Sequence, residues 1–235
     1  MKKRKSLLPL GLVYILTVIG LLSAALWGSR AVSVLAEQIP VPRSVCFVID
    51  AGHGGEDGGA TSCTGISESG LNLEISLRLN DLFALLGYDT RMIRNSDVSV
   101  YTKGETIAQK KASDLKERVR IANETPGAIL LSIHQNHFPD SRYSGPQVFF
   151  SDSEESLALA TRMQADLTRN LAPESKRQIK PASGIYLMEH ITCPGILIEC
   201  GFLSNPAEEA KLRDAQYQKK LCAVIATAAI GYANT

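Results

Sequence analysis

Charge is low in this sequence, and the two signs nearly balance. Charged residues make up 21% of the chain, and 25 basic side chains stand against 24 acidic ones, for a formal net charge of +1. A dedicated nucleic-acid-binding protein normally carries a basic face or tail, whereas the one basic run here is KKRK at residues 2–5. The composition argues against nucleic acid as a partner. With 45% apolar residues, it predicts a folded protein rather than a disordered chain.

Cysteines at metal-binding spacing are also missing. None of the five cysteines forms a CxxC pair, which argues against a cysteine zinc knuckle. Cys46, Cys200 and Cys222 lie in apolar runs and are interpreted as small buried hydrophobic residues. Cys63 and Cys193 lie in predicted loops, and a disulfide between them stays open.

An uncharged apolar segment follows the basic N-terminus and extends from Leu7 to Trp27. At about 1.5 Å per residue, an apolar helix of about 20 residues crosses a bilayer. A cleaved signal peptide usually has a shorter apolar region with small residues close behind, and the best such site, VLA at residues 34–36, lies well past this segment. The pattern favours an uncleaved signal-anchor over residues 1–30, with its basic end in the cytoplasm and the rest of the chain extracytoplasmic.

No internal repeat, low-complexity tract or second domain follows the short stem at residues 31–43. From residue 44 to residue 235, short apolar runs alternate with longer amphipathic segments. This predicts a single layered α/β domain with a central, mostly parallel or mixed sheet flanked by helices. Strands are predicted at Ser44–Asp50, Thr90–Arg94, Ala128–Ile133, Gln147–Phe150, Gly184–Met188 and Gly195–Glu199. Helices are predicted from Leu71 to Leu86, closed by Gly87, and at Ser113–Asn123, Glu154–Leu171, Pro206–Asp214 and Tyr217–Tyr232.

Polar residues stand at the ends of three of these strands. Asp50 and His53 follow the first strand, His134 ends another, and Glu199 closes a third. In such sheets, functional groups gather at the carboxyl ends of the strands. The pattern therefore predicts one cleft that contains all of these side chains.

The glycine-rich stretch VIDAGHGGEDGGA at residues 48–60 has two possible interpretations. A phosphate-binding loop needs GxGxxG or GK[ST]. Here Asp57 stands where the third glycine should be, and no GK[ST] follows. Adjacent Glu56 and Asp57 would also repel a phosphate. We therefore interpret the glycines as clearance around His53.

Histidine is scarce, with four in the chain, and His53 and His134 both stand at predicted strand ends. A catalytic zinc site needs three protein ligands, commonly two histidines and a carboxylate. Glu68 stands at the mouth of a predicted helix, whose free N–H groups favour its ionised form; a plain helix-start role is the alternative. The hypothesis is a zinc site at His53, Glu68 and His134. His137 and His190 are interpreted as ordinary polar residues.

Four segments resemble, in order, the signature blocks of the zinc-dependent N-acetylmuramoyl-L-alanine amidases: DAGHGGEDGGA, ESGLNLEISLRL, SIHQNHF and ILIECGFLSNPAEEAKL. The resemblance covers residues 45 to about 232. It implies that His53, Glu68 and His134 bind Zn²⁺ and that Glu199 is the catalytic acid–base group. Two alternative functions stay open: a carboxypeptidase with the same fold, and a binding module without activity.

Two further segments, KKASDLKERVRIAN and GIYLMEHITCPGILIECGFLSNP, resemble the germination-specific amidases of the spore cortex. This resemblance implies cleavage of the bond between N-acetylmuramic acid and L-alanine in peptidoglycan, before muramic-δ-lactam forms. It also implies a membrane-anchored enzyme facing the space between the forespore membranes, and an envelope lipoprotein as a candidate partner. Cys193, Cys200 and the loosely matching tripeptide at residues 66–68 depart from the family pattern.

Weaker assignments concern the surroundings of the site. Asp50 is expected to orient His53 through its second ring nitrogen. Arg118 is either a structural salt-bridge partner or a substrate contact. Cys200 is expected to point away from Glu199 into the core, because neighbours on a strand face opposite sides. No GxSxG elbow is present, and no covalent intermediate is expected.

Overall fold

The computed structural model describes residues 45–235. The predicted anchor and stem lie outside the described residues. Within residues 45–235, no helix is both long enough and apolar enough to cross a membrane.

In this part of the chain, six strands form one sheet. In chain order they are β1 (Cys46–Ala51), β2 (Asp89–Met92), β3 (Ala128–Asn136), β4 (Gln147–Phe150), β5 (Lys180–Pro181) and β6 (Gly195–Phe202). The strand order is β2-β1-β3-β6-β4-β5. All neighbouring pairs are parallel except β4 and β6, which are antiparallel. The predicted mixed sheet is therefore confirmed, and β1, β3 and β6 end at the same edge.

Six helices of the described residues 45–235 flank the sheet. They are α1 (Glu68–Leu85), α2 (Ile107–Asn123), α3 (Glu154–Leu171), α4 (Tyr186–His190), α5 (Pro206–Arg213) and α6 (Ala215–Ala233). Helix α6 packs against both α1 and α3, whereas α2 packs against α4. Neighbouring residues of β1 contact helices on opposite faces of the sheet. Phe47 stacks on Phe83 of α1, and Val48 packs in a cluster with Ile121 of α2. The sheet is thus covered on both faces, as the layered α/β pattern predicted.

The predicted strand at Gly184–Met188 is wrong. This segment turns at Gly184, which has φ 80°, and continues as the short helix α4. The adjacent side chains Leu187 and Met188 are both buried in the same core cluster, which a strand would not allow because its neighbours face opposite sides. Glu189 stabilises the turn by accepting a hydrogen bond from the Gly184 backbone N–H at 2.5 Å.

Helix α2 begins six residues before its predicted start at Ser113, since its first residue is Ile107. Thr106 and Gln109 form a capping box, in which each side chain accepts a hydrogen bond from the backbone N–H of the other residue. Such a box satisfies two of the free N–H groups at a helix start. The T-x-x-Q spacing of Thr106 and Gln109 is the sequence pattern that indicates this helix start.

Phe83 provides a test of the packing between α1 and the sheet. Its ring stacks on Phe47 at a centroid distance of 4.1 Å, and both side chains are fully buried. Phe83→Ala should lower the free energy of unfolding by about 3–5 kcal/mol, because it leaves a cavity that the sheet cannot fill. Leu85→Ala, on the same helix but at an 83% exposed position, should change it by less than about 0.5 kcal/mol. Urea unfolding measures both, and equal losses would contradict this packing.

Candidate metal centre

The carboxyl edge of the sheet brings together the four residues singled out by their positions at strand and helix ends. His53 follows β1, His134 lies near the end of β3, and Glu199 is its neighbour in register on β6. Glu68 is the first residue of α1, and the loop after β1 brings this helix start to the same edge. All four side chains therefore lie at one edge of the sheet.

Three of these residues place potential metal ligands in one cluster. Ligand atoms of His53, Glu68 and His134 all lie within 4.8 Å of one another. Nε2 of His53 is 3.4 Å from Oε2 of Glu68, and Nδ1 of His134 is 3.0 Å from Oε1 of the same carboxylate. Two imidazoles and a carboxylate are a donor set that suits zinc. The spacing leaves room for an ion between them.

The Glu68 carboxylate is buried and surrounded by donors. Oε2 accepts a hydrogen bond from the Ala60 backbone N–H at 2.9 Å, and Oε1 accepts from the Gln135 backbone N–H at 3.1 Å and from Asn72 Nδ2 at 3.2 Å. Burial alone would raise the pKa of Glu68, but the hydrogen bond and charge of His134 outweigh it and hold this pKa at about 2. Glu68 is therefore ionised at neutral pH, the form that binds metal.

His53 is held in a strained backbone conformation. Its φ of 61° lies in the left-handed region that residues with a side chain rarely adopt. Arg118 donates a hydrogen bond from Nη2 to the His53 carbonyl oxygen at 2.7 Å. On the ring, Nδ1 contacts Oδ2 of Asp57 at 3.1 Å, which leaves Nε2 facing Glu68. Such a carboxylate partner commonly fixes the orientation of a metal-binding histidine.

The expectation that Asp50 orients His53 is therefore wrong. Asp50 accepts hydrogen bonds from Arg118 Nη1 at 2.5 Å and from Ser132 Oγ at 2.6 Å, so both carboxylate oxygens are occupied. Ser132 is its register partner on β3, which draws the carboxylate across the sheet and away from the imidazole. Arg118 is 2% exposed and also pairs with Asp114, so its role is structural.

Two glycines provide the space that the cluster needs. A Cβ atom built on Gly52 would lie 2.2 Å from Cε1 and Nε2 of the His134 ring. A Cβ atom built on Gly59, whose φ is +68°, would lie 2.7 Å from Oε2 of Glu68 and from Cδ2 of His53. These short distances support the interpretation that the glycines leave space for the two imidazole rings and the carboxylate.

Two buried polar residues that hold this loop were missed in the sequence. Arg94 donates hydrogen bonds to the carbonyl oxygens of Ala51, Gly52 and Ser69 at 2.7–3.0 Å and is 3% exposed. Asn72 donates to the same Gly52 oxygen at 3.1 Å. The sequence pattern that could have revealed the buried Arg94 is a charged residue within a predicted apolar strand. For Asn72 it is an amide next to the buried face of the predicted helix.

Glu199 differs from Glu68 in its surroundings. Its Oε2 is buried and has no hydrogen-bond partner among residues 45–235. Burial raises the pKa of Glu199, nearby His134 lowers it and nearby Glu68 raises it, and the net result is a pKa of about 7. A carboxyl group with such a pKa can both accept and release a proton near neutral pH.

The next residue, Cys200, is 1% exposed and lies in the core, as predicted.

None of the five cysteines, all of which lie in the described part of the chain, forms a disulfide. Cys63 is exposed and Cys193 is partly buried, and the two remain separate thiols. The pairing that the sequence left open is therefore not formed.

Gly52 allows a direct test of the clearance. Gly52→Ala should lower the affinity for zinc by about 10- to 100-fold, the usual effect of disturbing the residues around metal ligands, because the new methyl group displaces the His134 ring. Gly70→Ala is the matched control, since a Cβ atom at this exposed helical position meets nothing within 4 Å. Zinc titration against a competing chelator measures both. Unchanged affinity in Gly52→Ala would show that the ring does not need this space.

Comparison with known proteins agrees with the geometry. The family model for N-acetylmuramoyl-L-alanine amidases matches residues 47–230. A germination-specific N-acetylmuramoyl-L-alanine amidase from Bacillus subtilis is 37% identical over 190 residues, which cover 80% of this chain and 79% of that protein.

Solved structures show the same fold. The CwlD amidase from Clostridioides difficile, solved in complex with the GerS lipoprotein, superposes with a TM-score of 0.77 at 36% identity, covering 81% of this chain and 98% of that one. An N-acetylmuramoyl-L-alanine amidase from Clostridium difficile 630 has a TM-score of 0.72 at 27% identity, covering 82% and 98%. The chain described here belongs to the N-acetylmuramoyl-L-alanine amidase family.

Proposed function

We propose that this chain is a zinc-dependent amidase that cleaves the bond between the lactyl group of N-acetylmuramic acid and L-alanine. In this proposal His53, Glu68 and His134 hold the zinc ion, and Glu199 moves the protons. The observation that carries it is the clustering of three ligand atoms within 4.8 Å beside a buried carboxyl oxygen without a partner.

The residues present fit a divalent cation. Glu68 is 3% exposed and ionised, and uncompensated charge is costly to bury. The partly buried neighbour Glu199 adds a second carboxyl group beside Glu68, and a cation bound at Glu68 offsets the repulsion between the two. When bound in such a site, zinc polarises a carbonyl group and lowers the pKa of a coordinated water.

Glu199 supplies the acid–base chemistry in this proposal. Its free Oε2 accepts a proton as a water molecule attacks the lactyl carbonyl carbon. The same oxygen then returns that proton to the nitrogen of L-alanine as the C–N bond breaks. The new lactyl carboxyl group gives up the second proton of the water to the amine, so the products are the lactyl carboxylate and the ammonium group of L-alanine. No covalent bond to the protein forms. A pKa of about 7 suits a group that performs both transfers.

The two rival functions have less support. A carboxypeptidase on this scaffold needs a cation that clamps a free substrate carboxylate, and Arg118 is unsuited because it is 2% exposed and bonded to two aspartates. A binding module without activity would not need to maintain a buried carboxyl group with a raised pKa. Membership of the amidase family favours hydrolysis of the muramyl amide over both.

The biological setting that we propose is the spore cortex, where the enzyme would remove stem peptides before muramic-δ-lactam forms. The germination-specific relative from Bacillus subtilis supports this setting. We further propose that residues 1–30 anchor the enzyme in a membrane, with the catalytic domain outside the cytoplasm. An envelope lipoprotein is the proposed partner, supported by the CwlD amidase solved with the GerS lipoprotein.

Replacing the two glutamates should separate metal binding from proton transfer. Glu68→Ala removes one of the three proposed ligands, so zinc content and turnover should fall together. Glu199→Gln keeps the size of the side chain but cannot accept a proton, so kcat should fall by about 10²–10⁴-fold while zinc stays near one per chain. Atomic emission measures the metal, and hydrolysis of a muramyl-peptide measures turnover.

Glu174→Gln is a matched control for the charge change, because Glu174 is exposed and lies outside the cleft. It should leave both zinc content and kcat unchanged. If Glu199→Gln loses its zinc or keeps a near wild-type rate, the assignment of Glu199 as the general base is wrong.

The cortex setting has its own test. Spores of cells that lack this protein should have a cortex without muramic-δ-lactam, because the peptide must leave before the lactam ring closes. Muropeptide analysis by mass spectrometry measures the lactam content. Normal lactam content would overturn the cortex assignment and leave the amidase chemistry intact.

A further inference from the structure

Two exposed aromatic rings pack edge to face in the segment that follows β3. Phe138 and Tyr143 are each 46% exposed, and their ring centroids are 4.6 Å apart at an interplanar angle of 63°. The ring of Phe202, which is 2% exposed, packs against that of Tyr143, with the two ring centroids 6.2 Å apart. We call the exposed surface of the Phe138 and Tyr143 rings the aromatic platform.

Hydrogen bonds and stacking hold the aromatic platform in place. The Phe138 backbone N–H donates to Ser204 Oγ at 3.1 Å, and Asn205 Nδ2 donates to the Tyr143 carbonyl oxygen at 3.2 Å. The guanidinium of Arg177 lies 4.4 Å from the Phe202 ring centroid and 5.8 Å from that of Tyr143. The loop that carries the two rings is thereby fixed to the end of β6, so a ligand meets a surface that is already ordered.

The aromatic platform continues the edge of the sheet that carries the proposed active site. His134 pairs in register with Glu199, and Asn136 pairs with Phe202 on the same two strands. At about 3.3 Å per residue, four residues of chain place Phe138 at most about 13 Å from His134. A polymeric substrate that lies over the metal centre can therefore reach both rings.

We propose that the aromatic platform binds a sugar ring of the glycan strand next to the muramic acid whose amide is cleaved. This inference rests on the proposed function. A pyranose presents a face of C–H groups to an aromatic ring, whose face carries partial negative charge. It also carries hydroxyl groups at its rim, and the exposed ion pair of Asp140 and Arg142 lies between the two rings in sequence. Sites that combine aromatic surface with a few polar groups are typical of small-ligand recognition.

A protein partner fits this surface less well. A stable protein–protein interface buries about 800 Å² on each side. Two side chains that are each about half exposed supply far less apolar surface, since a whole aromatic side chain buries about 150–250 Å². The size of the aromatic platform matches one sugar ring, and its position matches a neighbour of the scissile bond.

Kinetics on two substrates test the inference with the full-length enzyme. One substrate is the single-sugar muramyl dipeptide, N-acetylmuramoyl-L-alanyl-D-isoglutamine, and the other is cortex glycan of defined chain length. The double variant Phe138→Ala, Tyr143→Ala should raise KM on the glycan about tenfold, equivalent to about 1.4 kcal/mol. Its kcat on the glycan and its kinetics on the muramyl dipeptide should not change. Tyr143→Phe, which keeps the ring, should behave as wild type.

Leu157→Ala is the matched control, because Leu157 is a 42% exposed apolar residue on α3, away from the cleft. It should leave all kinetic constants unchanged. Equal losses on both substrates would show that the two rings only support the site, and unchanged KM on the glycan would show that they do not bind it. Either result overturns the inference.

A binding measurement keeps the test independent of turnover. Titration with the tetramer of N-acetylglucosamine should shift the NMR signals of the Phe138 and Tyr143 rings, and the double variant should lose binding. If the wild-type rings do not respond to the tetramer, the inference is wrong. A wild-type enzyme that hydrolyses neither substrate would count against the proposed function. The titration tests sugar binding by the aromatic platform whether or not the enzyme is active.

Discussion

The buried carboxylate of Glu68 is the interaction on which the rest of the site depends. It receives hydrogen bonds from Ala60 before α1, from Asn72 within α1, and from Gln135 on β3, so three segments of the chain converge on one charge. His53 contacts its Oε2 and His134 contacts its Oε1. Because a buried charge is costly unless it is paired, this convergence requires positive charge nearby. Protonated imidazole or a bound cation can supply it.

Other features follow from bringing two imidazoles to this carboxylate. The chain must pass close to both rings, which excludes a side chain at Gly52 and at Gly59. His53 must adopt a positive φ, a conformation that costs about 1–3 kcal/mol in residues other than glycine. Arg118 and Arg94 hold the backbone of this loop through its carbonyl oxygens. The strain is thus balanced by buried hydrogen bonds to the same loop.

The different roles proposed for the two glutamates follow from their hydrogen bonds. Glu68 accepts several and has a pKa of about 2, whereas Glu199 has an oxygen without a partner in the described part of the chain and a pKa of about 7. Glu68 is buried, Glu199 is partly buried with a buried Oε2, and both lie near His134, so burial alone does not separate them. A charge fixed by donors suits a metal ligand, and a carboxyl group left without donors suits proton transfer.

Much of the fold could be predicted from hydrophobic periodicity. The mixed sheet, the helices Glu154–Leu171 and Pro206–Arg213, and the clustering of strand-end residues all followed from local patterns. The segment Gly184–Met188 could not, because a short apolar run has the same composition in a strand and in a buried helix. The two-residue strand β5 carries too few residues to give a pattern.

The partners of His53 were also beyond sequence reasoning. Asp50 and Asp57 are both near it in the chain, and the choice between them depends on where Arg118 and Ser132 lie in three dimensions. Arg94 acts on the loop from 42 residues away, through carbonyl oxygens that carry no sequence signal. Side-chain types predicted the cluster, whereas contacts between distant segments decided its geometry.

The central claim is that His53, Glu68 and His134 bind zinc while Glu199 stays free. Anomalous diffraction at the zinc absorption edge, from crystals of the zinc-loaded protein, tests it most directly. We expect one zinc peak at about 2.0–2.2 Å from a nitrogen of each histidine and an oxygen of Glu68, with Glu199 outside coordination distance. A zinc ion bound elsewhere, or bound by Glu199 in place of Glu68, would contradict it.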